Sequence, residues 1–355
     1  MPPIPLLKAV WLTNVDSQVM NSRHNLAEGL ARLAELGFNT IYPAVWQRGH
    51  TLYPSAVAQA WTGASVLPNS PFVDRDVLAE IIELAQPLKI RVIPWFEYGL
   101  MVPPQSTIAR QHQDLLTIDL HGKSQRIQGA NGKQDPHAWL NPCHDRVRKF
   151  IIDLITDVVN RYPVAGIQLD DHFSFPVELG YDRFTQQLFQ QQVRANWRDW
   201  RSAQLTELLT QIVSSVKSTR RDCVISISPN PLGFSKRHYL VDWQHWCDLG
   251  LVDELVLQVY RDSLGAFNSE IVNSEIWIKL KIPVLIGILT GLRTKPIATN
   301  IIRSQVNSIA IAKFAGYSCF FYETLFHEQL SPTLVTRDRQ QLIDIFQDKI
   351  DDSID

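Results

Sequence analysis

The chain has 355 residues, 45% of them hydrophobic and 20% charged, with a formal net charge of −2. That length suits one large α/β barrel or two ordinary domains, and the composition is that of a soluble globule with a sizeable core. Charges of both signs are spread along the chain, which excludes a basic field for nucleic acid or an anionic membrane, and no run of about 18 apolar residues is present to span a bilayer.

The N-terminal stretch MPPIPLLKAVWLTN lacks the basic n-region and long apolar core of a signal peptide. The chain as written therefore reads as cytoplasmic, with the periplasm or cell envelope as the alternative if a leader has been trimmed. Cys143, Cys223, Cys247 and Cys319 show no C-x-x-C or other metal-ligand spacing and read as buried free thiols. No cofactor is indicated.

In chain order, β-rich runs fall at residues 9–13 (AVWLT), 39–45 (NTIYPAV), 90–96 (IRVIPWF), 166–170 (GIQLD), 223–228 (CVISIS), 254–260 (ELVLQVY), 283–289 (PVLIGIL) and 316–322 (GYSCFFY). Helical patterns separate them. NLAEGLARLAELG has apolar residues at i, i+3, i+4 and i+7 and closes on Gly37. DRDVLAEIIELAQ starts at Asp74 and DRVRKFIIDLITDVVNRY at Asp145. A long helix is predicted over about 182–218, and others over about 242–249, 267–280, 299–314 and 336–349.

Eight βα alternations predict a single (β/α)8 TIM barrel over residues 1–355, with the helix near 336–349 packed outside. An open doubly wound sheet fits less well, because no G-x-G-x-x-G follows the first strand. Helix-to-strand joints are short, whereas strand-to-helix joints run long, at about 46–73, 97–144 and 229–241. Long loops at the C-terminal ends of barrel strands are where such folds build their sites.

Those strand ends carry Thr13, Asn14 and Asp16; Trp46, Gln47 and Arg48; Trp95, Glu97 and Tyr98; Asp170, Asp171 and His172; Ser228 and Asn230; Gln258, Tyr260 and Arg261; and Glu323. Side chains alternate along a strand, so if Gln168 points into the barrel Asp170 does too, while Asp171 begins the loop. Either aspartate can reach a central pocket on this reading. Most glycosidases place two carboxyls across the scissile bond, one as general acid and the other as nucleophile or base. Glu97, Asp170, Asp171 and Glu323 are the carboxyls available. A close pair of like charges raises one pKa, which keeps an acid protonated near neutrality. Trp46, Trp95, Trp139 and Tyr260 offer flat faces on which sugar rings stack.

Each feature has a plainer counterpart. An aspartate caps turns, Glu97 pairs with a base such as Arg48, Glu323 is solvated, and tryptophans pack cores. Two other functions fit the same residues: a glycan-binding barrel without activity, and a metal-dependent hydrolase built on Asp170, Asp171 and His172. The metal reading is the weaker, because strand one, AVWLT, lacks the H-x-H common in metal-hydrolase barrels.

Six segments in order, AVWLTN, GFNTIYPAVWQRGHTLYPS, WLNPCHDRVR, GIQLDDHFSFP, ISISPNPLG and DWQHWCDLGLVDELVLQVY, resemble the bacterial glycosyl hydrolase-like family 10 over residues of about 8–323. The resemblance implies a (β/α)8 barrel and a glycosidase acting on bacterial cell-wall glycans, with peptidoglycan strands as the substrate class. It implies site roles for Asp170, Asp171, Arg48, Asn141 and Tyr260. His172 departs from the family pattern, where Tyr usually follows the two aspartates, and Asn230 stands after Ser-Pro where Phe is usual.

Overall fold

The computed structural model describes residues 6–128, 133–192, 195–272, 280–293, 295–326 and 339–347. Eight parallel strands form its centre: β1 Leu7–Leu12, β2 Thr40–Pro43, β3 in two halves (Arg91–Val92 and Trp95–Phe96), β4 Gly166–Asp170, β5 Val224–Ser228, β6 Glu254–Gln258, β7 Val284–Leu289 and β8 Gly316–Phe320. β1 pairs with both β2 and β8, and the ladder runs on from β8 through β7, β6 and β5 to β4. The first half of β3 pairs with β2 and the second half with β4, so the sheet closes on itself as the (β/α)8 barrel that the alternation predicts.

The break in β3 has a local cause. Pro94 has no N–H to offer either neighbour. Its carbonyl still accepts the Gln168 N–H at 2.8 Å, and Ile93 N–H reaches Ile41 O at 3.0 Å. The predicted single strand over 90–96 is thus two short pieces that together do one strand's work.

The barrel interior is filled around Trp11, which is fully buried. Its ring lies 5.6 Å from Tyr42, 6.2 Å from Trp95 and 5.9 Å from Phe320. So large a ring fits because β7 presents a glycine there: a Cβ on Gly287 would stand 3.1 Å from Trp11 Cη2. The indole N–H donates to Gln168 Oε1 at 2.8 Å, and Gln168 Nε2 donates to Ser226 Oγ at 3.0 Å. Nearer the opposite end, Glu254 accepts from Tyr42 at 2.9 Å and pairs with Arg91 at 3.3 Å.

The outer helices follow the apolar spacing. Helix Arg23–Glu35 is capped by Ser22, whose side chain accepts the Asn25 N–H, and it buries Leu26, Leu30 and Leu33 against the sheet. Gly37, at φ +78°, turns the chain into β2. Helix Asp145–Arg161 buries Val147, Phe150, Ile151, Leu154, Ile155 and Val158.

The long helix predicted over 182–218 is two, Arg183–Gln190 and Trp197–Thr219. Asp182 and Asn196 each cap a separate start, a signal that apolar periodicity alone overrides. The helix predicted over 267–280 runs Leu264–Val272, and 273–279 lie outside the described residues. The last helix, Arg339–Phe346, packs on the barrel's outer surface through Phe346, 5.1 Å from Phe38 and 5.9 Å from Tyr317; 336–338, 348 and 349 lie outside the described residues.

The stretch 97–144, expected as loop, contains a helix, Thr107–Gln111, and an antiparallel three-stranded sheet of Met101–Val102, Gln125–Gln128 and Lys133–Trp139. All four cysteines are free. No helix among the described residues is long and apolar enough to cross a membrane.

Because Gln168 is fully buried, Trp11→Phe is expected to cost about 2 kcal/mol or more, through the unpaired Oε1 and the lost ring volume. Urea unfolding of the variant against the parent measures it, and an unchanged midpoint refutes the role given to this bond.

Candidate active site

β4 delivers the central carboxylates. Gln168 faces inward, so the two-residue period brings Asp170 inward as well, while Leu169 points to a small void shared with Ile227 and Trp246 beneath the helices. β4 and β5 are in register, with Asp170 beside Ser228. Asp170 Oδ1 accepts from Ser228 Oγ at 2.9 Å and from Gln258 Nε2 at 2.8 Å, and Gln258 also donates to Ser228 O at 2.8 Å. Asp171 begins the loop and leans toward β5, where its Oδ2 accepts from Asn230 Nδ2 at 2.6 Å.

Both aspartates therefore belong to one site. Their accessibility differs: the Asp170 side chain is 5% exposed and that of Asp171 17%. His172 turns back over them, its Nδ1 lying 3.3 Å from Asp170 Oδ2, 3.5 Å from Asp171 Oδ1 and 3.0 Å from the main-chain oxygen of Glu97.

Glu97 arrives from the end of β3, and Thr13 at the end of β1 donates to its Oε2 at 3.4 Å. The β3 and β4 loops touch closely because Gly99, at φ +47°, has no side chain: a Cβ there would sit 2.4 Å from Phe173 N. Leu100 N–H donates to His172 O at 3.1 Å across the same junction. Tyr260 lies against Phe320 at 5.1 Å.

Crowding of carboxyls in a poorly hydrated place shifts their ionisation. Burial, reinforced by the Asp170 charge and opposed by His172, pushes the Glu97 carboxyl up to about 8. Burial and the adjacent Asp171 raise Asp170 well above the ordinary carboxylate range. For His172 burial works to lower the pKa, but Asp171, Asp170 and the Glu97 carbonyl outweigh it and hold the ring at about 10. Burial and the three surrounding carboxyls also raise the Tyr260 phenol. At neutral pH the site holds a protonated Glu97 beside a charged imidazolium.

Asp170, Asp171 and His172 present ligand atoms within 4.8 Å of one another, the spacing of a metal site. The nitrogen nearest both aspartates, His172 Nδ1, also faces the Glu97 carbonyl at 3.0 Å, which only accepts, so in this arrangement Nδ1 donates and the trio is an ion-paired network.

Several residues read from sequence as site members have other surroundings or partners in the structure. Trp46, Trp95 and Trp139 are all buried and present no open face to a sugar. Trp46 packs on Phe150 at 5.6 Å and donates to Gly99 O, and Trp95 sits inside the barrel against Trp11. Asn141 binds Asp182 Oδ1 at 3.1 Å and Thr185 Oγ1 at 2.8 Å, so it anchors the start of helix Arg183–Gln190. Glu323 is buried, and its Oε1 accepts from Ser17 Oγ and from Gln18 N–H at 2.6 Å. Asp16 is exposed and paired with Arg293 at 3.2 Å.

Arg48 is exposed in the turn between strands Trp46–Gln47 and His50–Thr51, and its charge reaches Glu97. Asn14 follows Thr13 at the end of β1 and is half-buried. Thr13 and Ser228, also at strand ends, bond directly to the Glu97 and Asp170 carboxyls. Tyr98, also at a strand end, has its ring 6.0 Å from His172 and 5.4 Å from His137, a residue that the strand ends do not include. Barrel register puts Ser228 beside Asp170 and is the signal that finds it, whereas His137 comes from the side sheet and has no such signal.

A closed (β/α)8 barrel with carboxyls gathered at the C-terminal ends of β3 and β4 has the architecture of a barrel glycosidase. The chain belongs to the glycosyl hydrolase-like 10 family, whose model matches residues 6–308. It is 24% identical over 283 residues to glycosyl hydrolase DigH of Escherichia coli (strain K12), covering 72% of this chain and 62% of that protein. It is 22% identical over 287 residues to glycosyl hydrolase YngK of Bacillus subtilis (strain 168), covering 72% of this chain and 54% of that one. The match thus takes in about three-fifths or less of each curated relative's length. Among solved structures, the PgaB (BpsB) glycoside hydrolase domain of Bordetella bronchiseptica superposes with a TM-score of 0.63 at 14% identity, over 89% of this chain and 94% of that one. The β-amylase catalytic domain of Paenibacillus polymyxa does so with a TM-score of 0.62 at 9% identity, over 96% and 97%. Both share the fold.

The raised Glu97 carboxyl has a measurable consequence for stability. Its folded pKa lies above the ordinary 4.5, so the folded state holds a proton that the unfolded state has released as pH rises from 4.5 to about 8, and stability falls across that window. Glu97→Gln removes this titration. The difference in urea midpoint, variant minus parent, is expected to grow between pH 5 and pH 8; a constant difference contradicts the shift.

Proposed function

We propose that the protein is a glycoside hydrolase that cleaves a polysaccharide by a two-carboxyl mechanism, with Glu97 as general acid and the Asp170–Asp171 pair opposing it. The observation that carries this is the convergence of Glu97, Asp170 and Asp171 around His172, with Glu97 protonated up to about pH 8. Carboxyls whose surroundings separate their protonation states are the usual source of acid and base roles in one site.

Glu97 gives its proton to the leaving glycosidic oxygen. Asp171, the more open aspartate, acts on the anomeric carbon directly as nucleophile or activates a water for attack. Asp170, held by Ser228 and Gln258, positions that carboxylate and adds to the negative potential that favours an oxocarbenium-like transition state. Asn230 orients Asp171. Tyr260 lies at the edge of the three carboxyls as a surface for the sugar.

For the substrate we favour bacterial cell-wall glycan strands of the peptidoglycan type. This rests on the six-segment sequence resemblance, which also favours action in the cell envelope. Incubation with purified glycan strands, with and without stem peptides, followed by mass analysis of the products tests it. Glu97→Gln and Asp171→Asn are each expected to slow turnover by at least about a hundredfold while the protein stays folded. Binding without cleavage by the parent protein would instead indicate a glycan-binding barrel, and parental rates in both variants would discard this assignment of roles.

A further inference from the structure

Among the described residues the only ion pairs made by Asp170 and Asp171 are with His172. Each aspartate has one oxygen held by neutral donors, Ser228 and Gln258 for Asp170 and Asn230 for Asp171, and turns the other toward a single ring nitrogen. That nitrogen, His172 Nδ1, also lies 3.0 Å from the Glu97 carbonyl. A carbonyl cannot donate, so Nδ1 carries a hydrogen whether the ring is neutral or charged, and only Nε2 is left to titrate.

We infer that His172 is the positioning residue of this site: its Nδ1–H joins the ends of β3 and β4, and its ring supplies the positive charge that lets two adjacent aspartates face one pocket. The inference deepens the proposed glycosidase reading and rests on it for the roles of the carboxyls. Gly99 lets the two loops lie in contact, so the Glu97 main chain is within reach of the ring. Fixing the Glu97 carbonyl fixes where its side chain begins, and so the placement of the acid relative to the aspartates. The titratable groups facing the ring are Asp170 and Asp171 from its own strand end and Glu97 and Tyr98 from β3, with His137 beyond Tyr98; Arg48 acts on Glu97, and Tyr260 of the β6 side faces the carboxyls.

Two measurements test this. The first needs no turnover: proton–nitrogen correlation spectra of the histidine rings in the intact protein between pH 5 and 9. Nδ1 of His172 is expected to stay protonated throughout, and an unprotonated Nδ1 at any pH where the protein is folded overturns the proposal. The second compares His172→Asn with His172→Gln on cleaved glycan. The Asn amide N–H can take the place of Nδ1–H, whereas the Gln amide reaches toward the position of Nε2. His172→Asn is therefore expected to keep kcat/KM at its optimum within about tenfold of the parent, and His172→Gln to lose about a hundredfold. In both, the acid limb of the pH profile is expected to move up by about one pH unit, because a carboxylate without its cation is more easily protonated. An unmoved limb, or a Gln variant as active as the Asn variant, overturns the inference. If the parent cleaves no glycan, the functional reading fails while the ring spectra still decide the role of His172.

Discussion

The open face of this barrel stands on the bond from the Trp11 indole to Gln168. A barrel of eight strands has an interior that side chains must fill, and here one fully buried tryptophan occupies much of it beside Tyr42, Trp95 and Phe320. Its N–H has to be satisfied away from water, and Gln168 does so while passing the chain on to Ser226. Gln168 is thereby held facing inward. Since β4 alternates with a period of two, Asp170 two residues later faces inward at the rim. A core-packing requirement in the barrel thus dictates the direction of the Asp170 carboxylate.

Placing three carboxyls at that rim is unfavourable electrostatically, and two responses relieve it. Glu97 keeps its proton past neutrality, so it adds no third charge. His172 takes the opposite course and stays charged, pairing with both aspartates although burial alone favours its neutral form. The combination leaves an acid that is still protonated beside a pair that is held by donors on both sides. The same imidazole reaches the Glu97 main chain, so charge compensation and loop placement depend on one ring.

Much of this was legible in the sequence. The eight alternations of β-rich and amphipathic runs specify the barrel, because parallel strands need helical crossovers and each helix shows its buried stripe. The long loops at the strand C-termini locate the site, and the two-residue period of GIQLD turns Asp170 inward once Gln168 is known to be inside. The aromatic residues were less legible. Trp46, Trp95 and Trp139 lie near strand ends, yet composition and position alone do not say whether a tryptophan faces solvent or core. In the fold the first is taken by Phe150 and the Gly99 carbonyl, the second by the barrel interior, and the third is buried. Asn141 and Glu323 stand in or beside conspicuous motifs but hold Asp182 with Thr185 and the Ser17–Gln18 turn respectively.

The sequence by itself determined what short-range rules can carry: strand and helix order, the closing Gly37, the two-residue alternation of β4 and the family to which the chain belongs. Only the tertiary structure decided which carboxyls share a site. Glu97 and His172 are separated by 75 positions along the chain and meet because β3 and β4 are barrel neighbours and Gly99 permits contact between their loops. Glu323 lies in the helix Tyr322–Phe326 that follows β8, and its side chain is drawn to the loop after β1 instead. Ionisation follows the same logic. The shifts of Glu97, Asp170 and His172 arise from burial and from charges that meet only after barrel closure, and no local pattern encodes a distance across a closed sheet.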